Sequence, residues 1–494
     1  MRPSHMLHFT LAALVALSTL IGTSCQSQKP PSASAEAGKV PVTTKSDEAR
    51  KEFLQGQDFS DRLLAQDSIA HFDKAIALDP AFALAELGRA TSSATAKDFF
   101  DHLNKAVSLS GGVSEGERLL ILATQAGANG DTATQKEDLE KLVAAYPDDE
   151  RAQVALGNFY FGQQDFANAI QHYKRATEVA PKFSPAYNIL GYAYRQNGDY
   201  ADAEQTFKKY TELIPNDPNP YDSYAELLLK MGRFDDSITQ YRKALSVDPQ
   251  FNPSHFGIAA DLLYMDKSSD AMTELQKMAG AARNDGELRT ALFGMAVVDA
   301  DGGKTQPALD EMDKQYAIAE KKNDAAGMAG DLLAKGNILL AAGKFDEAAK
   351  QFEHSLQVTE ASSLSQEIKD NTKLQYEFNL AEIAIGKKDY AAAKQHIAAF
   401  QAGAKNTAQM RQSHELAGRL ALAQKDYDTA LAELQQANLQ DPRNLYRLGD
   451  VYRAKGDSAK AHDYYSKAAT FNSLPQLNYA FIRKQAQKMA GAKT

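Results

Sequence analysis

The chain has no tryptophan, and its 494 residues include one cysteine, Cys25. No intrachain disulfide framework is available, no cysteine-based zinc cluster can be assembled, and no plausible cysteine–histidine nucleophile pair would remain if the segment ahead of Cys25 were removed on export. Basic excess is also missing: 55 Lys and Arg face 64 Asp and Glu, for a net charge of −9, and the cations are dispersed. That excludes the basic face on which nucleic-acid binding depends. There is no Gly-x-Ser-x-Gly elbow and no His-x-x-x-His pair. His71, His102, His172, His255, His354, His396, His414 and His462 are scattered along the chain, and His172 and His354 read as partly exposed surface residues. No metal, cofactor or catalytic grouping is therefore expected, and the chain is not read as an enzyme.

What is present is a period. Leu156, Gly157, Tyr160, Ala169, Tyr173, Ala176 and Pro181 recur 34 residues later as Leu190, Gly191, Tyr194, Ala203, Phe207, Tyr210 and Pro215. Tyr187, Leu190, Gly191 and Tyr194 fall at i, i+3, i+4 and i+7, one face of a helix; Ala203, Phe207 and Tyr210 form a second face after a turn at Asn197-Gly198-Asp199. Each unit is then two antiparallel helices, with Gly191 and Ala203 small where backbones approach and Pro215 ending the second helix. One hairpin cannot bury its apolar face alone, so neighbours must stack.

This pattern resembles the tetratricopeptide repeat. The resemblance implies an all-α fold, a right-handed α-solenoid of tandem helix-turn-helix repeats, with starts near Gly116, Glu150, Ser184, Pro218 and Asn252. An earlier unit reads Gly56, Phe59, Ser68, Phe72, Ala75 and Pro80. Beyond Asn252 the landmarks continue as Ala296 with Ala308 and Met312, Gly336 with Ala348 and Phe352, Ala381 with Ala393 and Ile397, Gly418 with Ala430 and Leu434, and Gly449 with Ala461 and Tyr465. The spacings there are about 37, 40, 45, 37 and 31, which fits longer second helices and one trimmed loop. The expected organisation is an N-terminal array over 48–283 and a C-terminal array with longer repeats and a terminal capping helix over 284–494.

The N-terminus reads as an export signal over 1–24: a positive start at Arg2, an apolar run from Leu11 to Ile21 too short to span a bilayer as a mature helix, then small residues before Cys25. Ending on that cysteine resembles the lipobox of bacterial lipoproteins, although Gly22 stands where leucine is preferred, and it implies acylation of Cys25. Residues 25–47, rich in Ser, Ala, Pro and Lys, then read as a flexible tether. Gln26 after the cysteine resembles an outer-membrane address. The implied place is the bacterial envelope, facing the periplasm through a lipid anchor; secretion into the periplasm, with Cys25 incidental, is the other reading.

Some strings imitate chemistry. Gly303-Lys304-Thr305 looks like the end of a phosphate loop, but Val298 replaces the required glycine, and a turn between repeat helices explains it better. Asp299, Asp301 and Asp310 suggest a calcium loop, yet Gly303 and Lys304 stand at its fifth and sixth places. Asp235-Asp236 and Asp346-Glu347 suit helix starts, where negative charge complements the dipole.

Recognition remains. In the family resembled, places two, five, nine and twelve of each repeat line a concave groove. Carried over, they are Arg151, Val154, Asn158 and Phe161, then Asn188, Tyr192 and Arg195, then Asp222 and Glu226. Val154 replaces the first lysine of the family's carboxylate clamp, which argues against chaperone tails as ligands. The resemblance implies a scaffold or adaptor for a protein or peptide partner, with no nucleic acid. A regulatory or sensory repeat module without its own effector domain is the alternative, suggested by Val113 to Arg118 following a leucine-rich helix.

Overall fold

In the computed structural model the described residues are 38–62, 64–93 and 96–491, so Cys25 and the export-signal features lie outside them. The described residues hold twenty-six α-helices and no strand, and successive helices pack as hairpins.

The hairpin turns explain the period. A residue with φ between 59° and 91° closes each turn at Gly130, Gln164, Gly198, Gly232, Asp266, Gly303, Gly343, Lys388, Lys425 and Gly456, apart from the turns of the first two pairs. The first five are spaced by 34, and the rest follow at 37, 40, 45, 37 and 31, the spacings read from the sequence. Asp131, Asp165, Asp389, Asp426 and Asp457 come next, and each carboxylate accepts an N–H from the first turn of the second helix. The left-handed residue reverses the chain, and the aspartate starts it again.

The landmark positions are the core. Ala169, Ala203, Ala308, Ala348, Ala393 and Ala430 are fully buried, as are Phe207 and Met312, with Tyr173, Phe352 and Leu434 at 0–1% exposure. Gly157 and Gly191 face the rings of Tyr173 and Phe207 so closely that a Cβ would enter the ring. The proline that ends one repeat is held by the next: Gln153 Nε2 donates to the Pro147 carbonyl (2.9 Å), Tyr187 Oη to Pro181 (3.1 Å) and Tyr221 Oη to Pro215 (3.0 Å). These three donors are one period apart, so a proline carbonyl released by helix termination gains a partner in each of these three repeats.

Two compact units divide the chain, one ending at Ser223 and the other beginning at Tyr224. The division falls within the helix Asn219–Lys230. The period change near Arg283 lies inside the second unit, because Phe256, Leu275, Ala291 and Phe293 share one continuous core across it. The first unit stacks the pairs from Asp47–Asp61 with Ala65–Leu78 to Ser184–Asn197 with Tyr200–Leu213. The second runs from Phe234–Val247 through Ser458–Ala469 to the short helices Leu477–Ala480 and Arg483–Met489. Two of its longer repeats lengthen both members of a pair, not the second alone: Asp285–Asp301 and Thr305–Lys321 have 17 residues each, as do Ala325–Ala341 and Phe345–Ala361, whereas in the next two the first helix alone is long, 21 residues in Gln366–Gly386 against 14 in Tyr390–Gly403 and 17 in Thr407–Ala423 against 8 in Tyr427–Leu434.

Candidate functional site

The first helices carry the expected groove residues, from Arg151 to Asp222 in the first unit and Glu226 in the second, but their exposure differs sharply. Arg151 donates through both Nη atoms to Asp61 of the first helix (2.9 and 2.6 Å), and its guanidinium lies 4.7 Å from the Phe183 ring centre. Asn158 is buried and accepts a 2.7 Å hydrogen bond from the Tyr173 hydroxyl. Asp222 and Glu226 are buried, as is Val154. These residues are built into the repeats.

Asn188, Tyr192 and Arg195 stand differently. All three are half-buried on the helix Ser184–Asn197, and Phe161 on the preceding first helix is half-buried against Phe166 (5.4 Å, edge-on). The Arg195 guanidinium stacks 4.6 Å from the Tyr192 ring centre, while that ring meets Phe207 edge-on and its hydroxyl donates to Ser223 Oγ (3.3 Å). The Asn188 carbonyl oxygen accepts no hydrogen bond among the described residues. A fixed aromatic face and a cation held flat on it form a surface suited to a polypeptide.

Sequence reasoning missed a segment lying on the same unit. The residues from Lys39 to Ser46, inside the stretch whose composition suggests a free tether, run across the starts of three first helices. Val40 N–H donates to Asp149 (2.9 Å), Thr43 N–H and Oγ1 to the two oxygens of Glu117 (2.6 Å each), and Thr44 Oγ1 and Lys45 N–H to Asp79 (2.6 and 3.1 Å). Val40 and Val42 are fully buried, and Lys39 pairs with Glu150. Burial pushes the carboxyls of Glu117 and Asp149 up; at Asp79 burial pushes the same way, but the Thr44 hydroxyl and the amides of Lys45 and Ala81 hold it below the usual range. The tether is pinned here because three carboxylates in successive repeats take its backbone donors.

Four histidines share a role. His71 Nδ1 lies 2.6 Å from Glu52, His255 2.6 Å from Glu274, His396 2.8 Å from Glu377 and His414 2.7 Å from Glu433, each pair across one hairpin and 19 residues apart, while His102 lies 2.6 Å from Glu86 at a separation of 16. His172 takes Gln153 at a separation of 19, stacked on Tyr160, whereas His354 is exposed. The recurrent separation of 19 was the signal for these clasps. Among the described residues no group of His, Cys, Asp and Glu could hold a metal ion. Asp299 faces Lys304 and Asp301 faces Arg483, while Gly303 occupies a left-handed turn.

Sequence profiles described as tetratricopeptide repeat match residues 122–185, 160–218 and 415–475 in one form and 219–251 in another. These stretches are tetratricopeptide repeats. No curated protein matches the chain. Among solved structures, it is similar to a tetratricopeptide repeat protein from Parabacteroides merdae ATCC 43184 (15% identity, 58% of this chain and 99% of that one, TM-score 0.36). It is also similar to TTC0263, a thermophilic tetratricopeptide repeat protein of Thermus thermophilus (21% identity, 44% and 99%, TM-score 0.30). A third is residues 41 to the end of MamA from Desulfovibrio magneticus RS-1 (14% identity, 33% and 93%, TM-score 0.30). Tetratricopeptide repeats serve in general as protein-interaction scaffolds, and no helix among the described residues is long and apolar enough to cross a membrane.

Proposed function

We propose that this chain is a non-enzymatic adaptor that binds a protein or peptide partner in the bacterial envelope, held at a membrane by acylated Cys25. The observation that carries the binding half is the contrast along the first helices. Asn188 and Tyr192 are half-buried, while Val154, Asn158, Asp222 and Glu226 at the corresponding places of the neighbouring repeats are buried, and Arg195 is half-buried like Phe161 one repeat earlier. Polar side chains held in place beside an aromatic ring give affinity without a large ordering penalty. The anchoring half is supported by the sequence before residue 38: an export-type segment, the single cysteine, and a linker of Ser, Ala, Pro and Lys.

Crosslinking in living cells tests the binding half. The double variant Asn188→Ala, Arg195→Ala removes both polar groups and leaves Tyr192 in its packing. It should lose a specific crosslinked partner while its thermal melting stays unchanged; an identical set of partners sinks the assignment to this helix. For the anchor, Cys25→Ala should move the chain from the membrane to the soluble fraction and abolish incorporation of labelled fatty acid. A variant that still carries lipid and sediments with membranes refutes it.

A further inference from the structure

The second unit holds its own C-terminal segment in a manner that apolar capping does not require. After the helix Ser458–Ala469 the chain runs without regular structure from Phe471 to Gln476, then forms Leu477–Ala480 and Arg483–Met489. Three consecutive first helices end on residues that meet it. Lys230, the last residue of Asn219–Lys230, donates to the Phe471 carbonyl (2.5 Å) and lies 4.0 Å from the Phe471 ring centre. Tyr264, one period later at the end of Asn252–Tyr264, donates to the Ser473 carbonyl (2.5 Å) and meets the Tyr479 ring at 5.3 Å. Asp301, the last residue of Asp285–Asp301, takes Arg483 through Nε (2.6 Å) and Nη2 (2.8 Å), and Asp266 accepts from Nη2 at 3.0 Å. Alternate backbone carbonyls are thus engaged by residues in register on successive repeats.

Asp301 is the most telling of these groups. Its side chain is fully buried at a helix C-terminus, where the backbone dipole already opposes negative charge. A buried carboxylate there is unfavourable without a cation, and the Arg483 side chain, 1% exposed, supplies it. Lys484 stands 3.4 Å from the same carboxylate. The helix Arg483–Met489 packs on Ser458–Ala469 and covers the last hairpin, while Phe471, Leu477 and Tyr479 enter the apolar core of the unit.

We infer that the ends of these first helices form a peptide-binding site for a segment that opens on an aromatic residue in irregular backbone, turns helical and carries an arginine about twelve residues on, a span read from Phe471 and Arg483, and that the chain's own tail is its resident occupant. Lys230 and Tyr264 read carbonyls whatever the side chains, and Asp301 with Asp266 selects the arginine. A partner peptide of this chemistry gains the second unit only by displacing residues 471–489. The inference rests on the reading of the repeats as peptide binders, but its test uses the chain's own peptide and no cellular partner, so the two fail separately.

The test uses the full chain with its tail weakened by Tyr479→Ala and Arg483→Ala, titrated with a fluorescent synthetic peptide of residues 471–494. The peptide should bind this variant at least tenfold tighter than it binds the unaltered chain, whose site is filled, and a peptide carrying Arg483→Ala should not bind. Hydrogen exchange should show residues 471–489 losing protection while 252–301 keep theirs. Equal affinity for both chains overturns the inference, as does joint loss of protection in 252–301, which makes the tail an inseparable part of the core. Should the double variant unfold, Asp301→Asn alone should speed exchange in 471–489 at least tenfold; unchanged exchange overturns it equally.

Discussion

Asp261 lies fully buried in the helix Asn252–Tyr264, and neither of its oxygens accepts a hydrogen bond among the described residues. The hydroxyl beside it, on Ser237, donates to the Ala225 carbonyl at 2.9 Å. Burial first, and the charge of Asp235 in addition, push the Asp261 carboxyl up to about 8. A folded-state pKa above the unfolded one means stability that is complete below the unfolded value near 3.8 and is lost as pH climbs towards 8. Asp261→Asn removes that penalty. It should stabilise the chain by on the order of 1–3 kcal/mol at pH 8 and give no gain at pH 4, read by thermal melting at both values. An equal gain at both pH values would show that the carboxyl stays ionised in the fold. Packing sets the opposite sign at Gly191, where a Cβ would enter the ring of fully buried Phe207. Gly191→Ala should cost about 1–3 kcal/mol in urea unfolding, and a neutral result would mean that the hairpin can open to receive a methyl group.

At the scale of elements, the N-terminal strap and the hairpins obey different rules, and that difference decided what the sequence revealed. Ala203, Phe207 and Tyr210 repeat a face every period, so helix identity, turn position and core were legible before any coordinates. Val40, Thr43 and Lys45 have no period, and of their carboxylate partners Asp149 and Glu117 look like ordinary helix-start acids and Asp79 like a residue of the turn after a helix. Both Asp149 and Glu117 do cap helices as well, which hid their second task. Groove places were carried over position by position, but whether such a residue is free depends on what packs from other repeats: Arg151 is taken by Asp61, 90 residues earlier. Replacing both Val40 and Val42, each fully buried, by serine should cost about 2–5 kcal/mol of apolar burial. The amides of Val40, Thr43 and Lys45 should then exchange with solvent like an unfolded peptide while the helix Glu150–Gly162 keeps its protection. Retained protection at Thr43 would show that the carboxylates alone hold the strap.

For the molecule as a whole, repetition means that each hairpin gains its stability from its neighbours, so damage should spread by adjacency and not through one global transition. Asn158 offers a clean place to inject damage. It accepts the hydrogen bond of Tyr173, whose hydroxyl sits in a ring position with 1% exposure, and Asn158→Ala leaves that buried hydroxyl without this acceptor. The loss is about 1–3 kcal/mol, small against a whole array but large against the stability of one hairpin and its two interfaces. Hydrogen exchange followed by mass spectrometry should show faster exchange in Glu150–Gly162 and Phe166–Val179, a smaller effect in Thr132–Ala145 and Ser184–Asn197, and none in Ala325–Ala341 or Phe345–Ala361. A uniform acceleration across all of these helices would mean that the chain unfolds as one cooperative block, and the stability of the Asn188–Arg195 surface could then be altered from any repeat instead of only from those beside it.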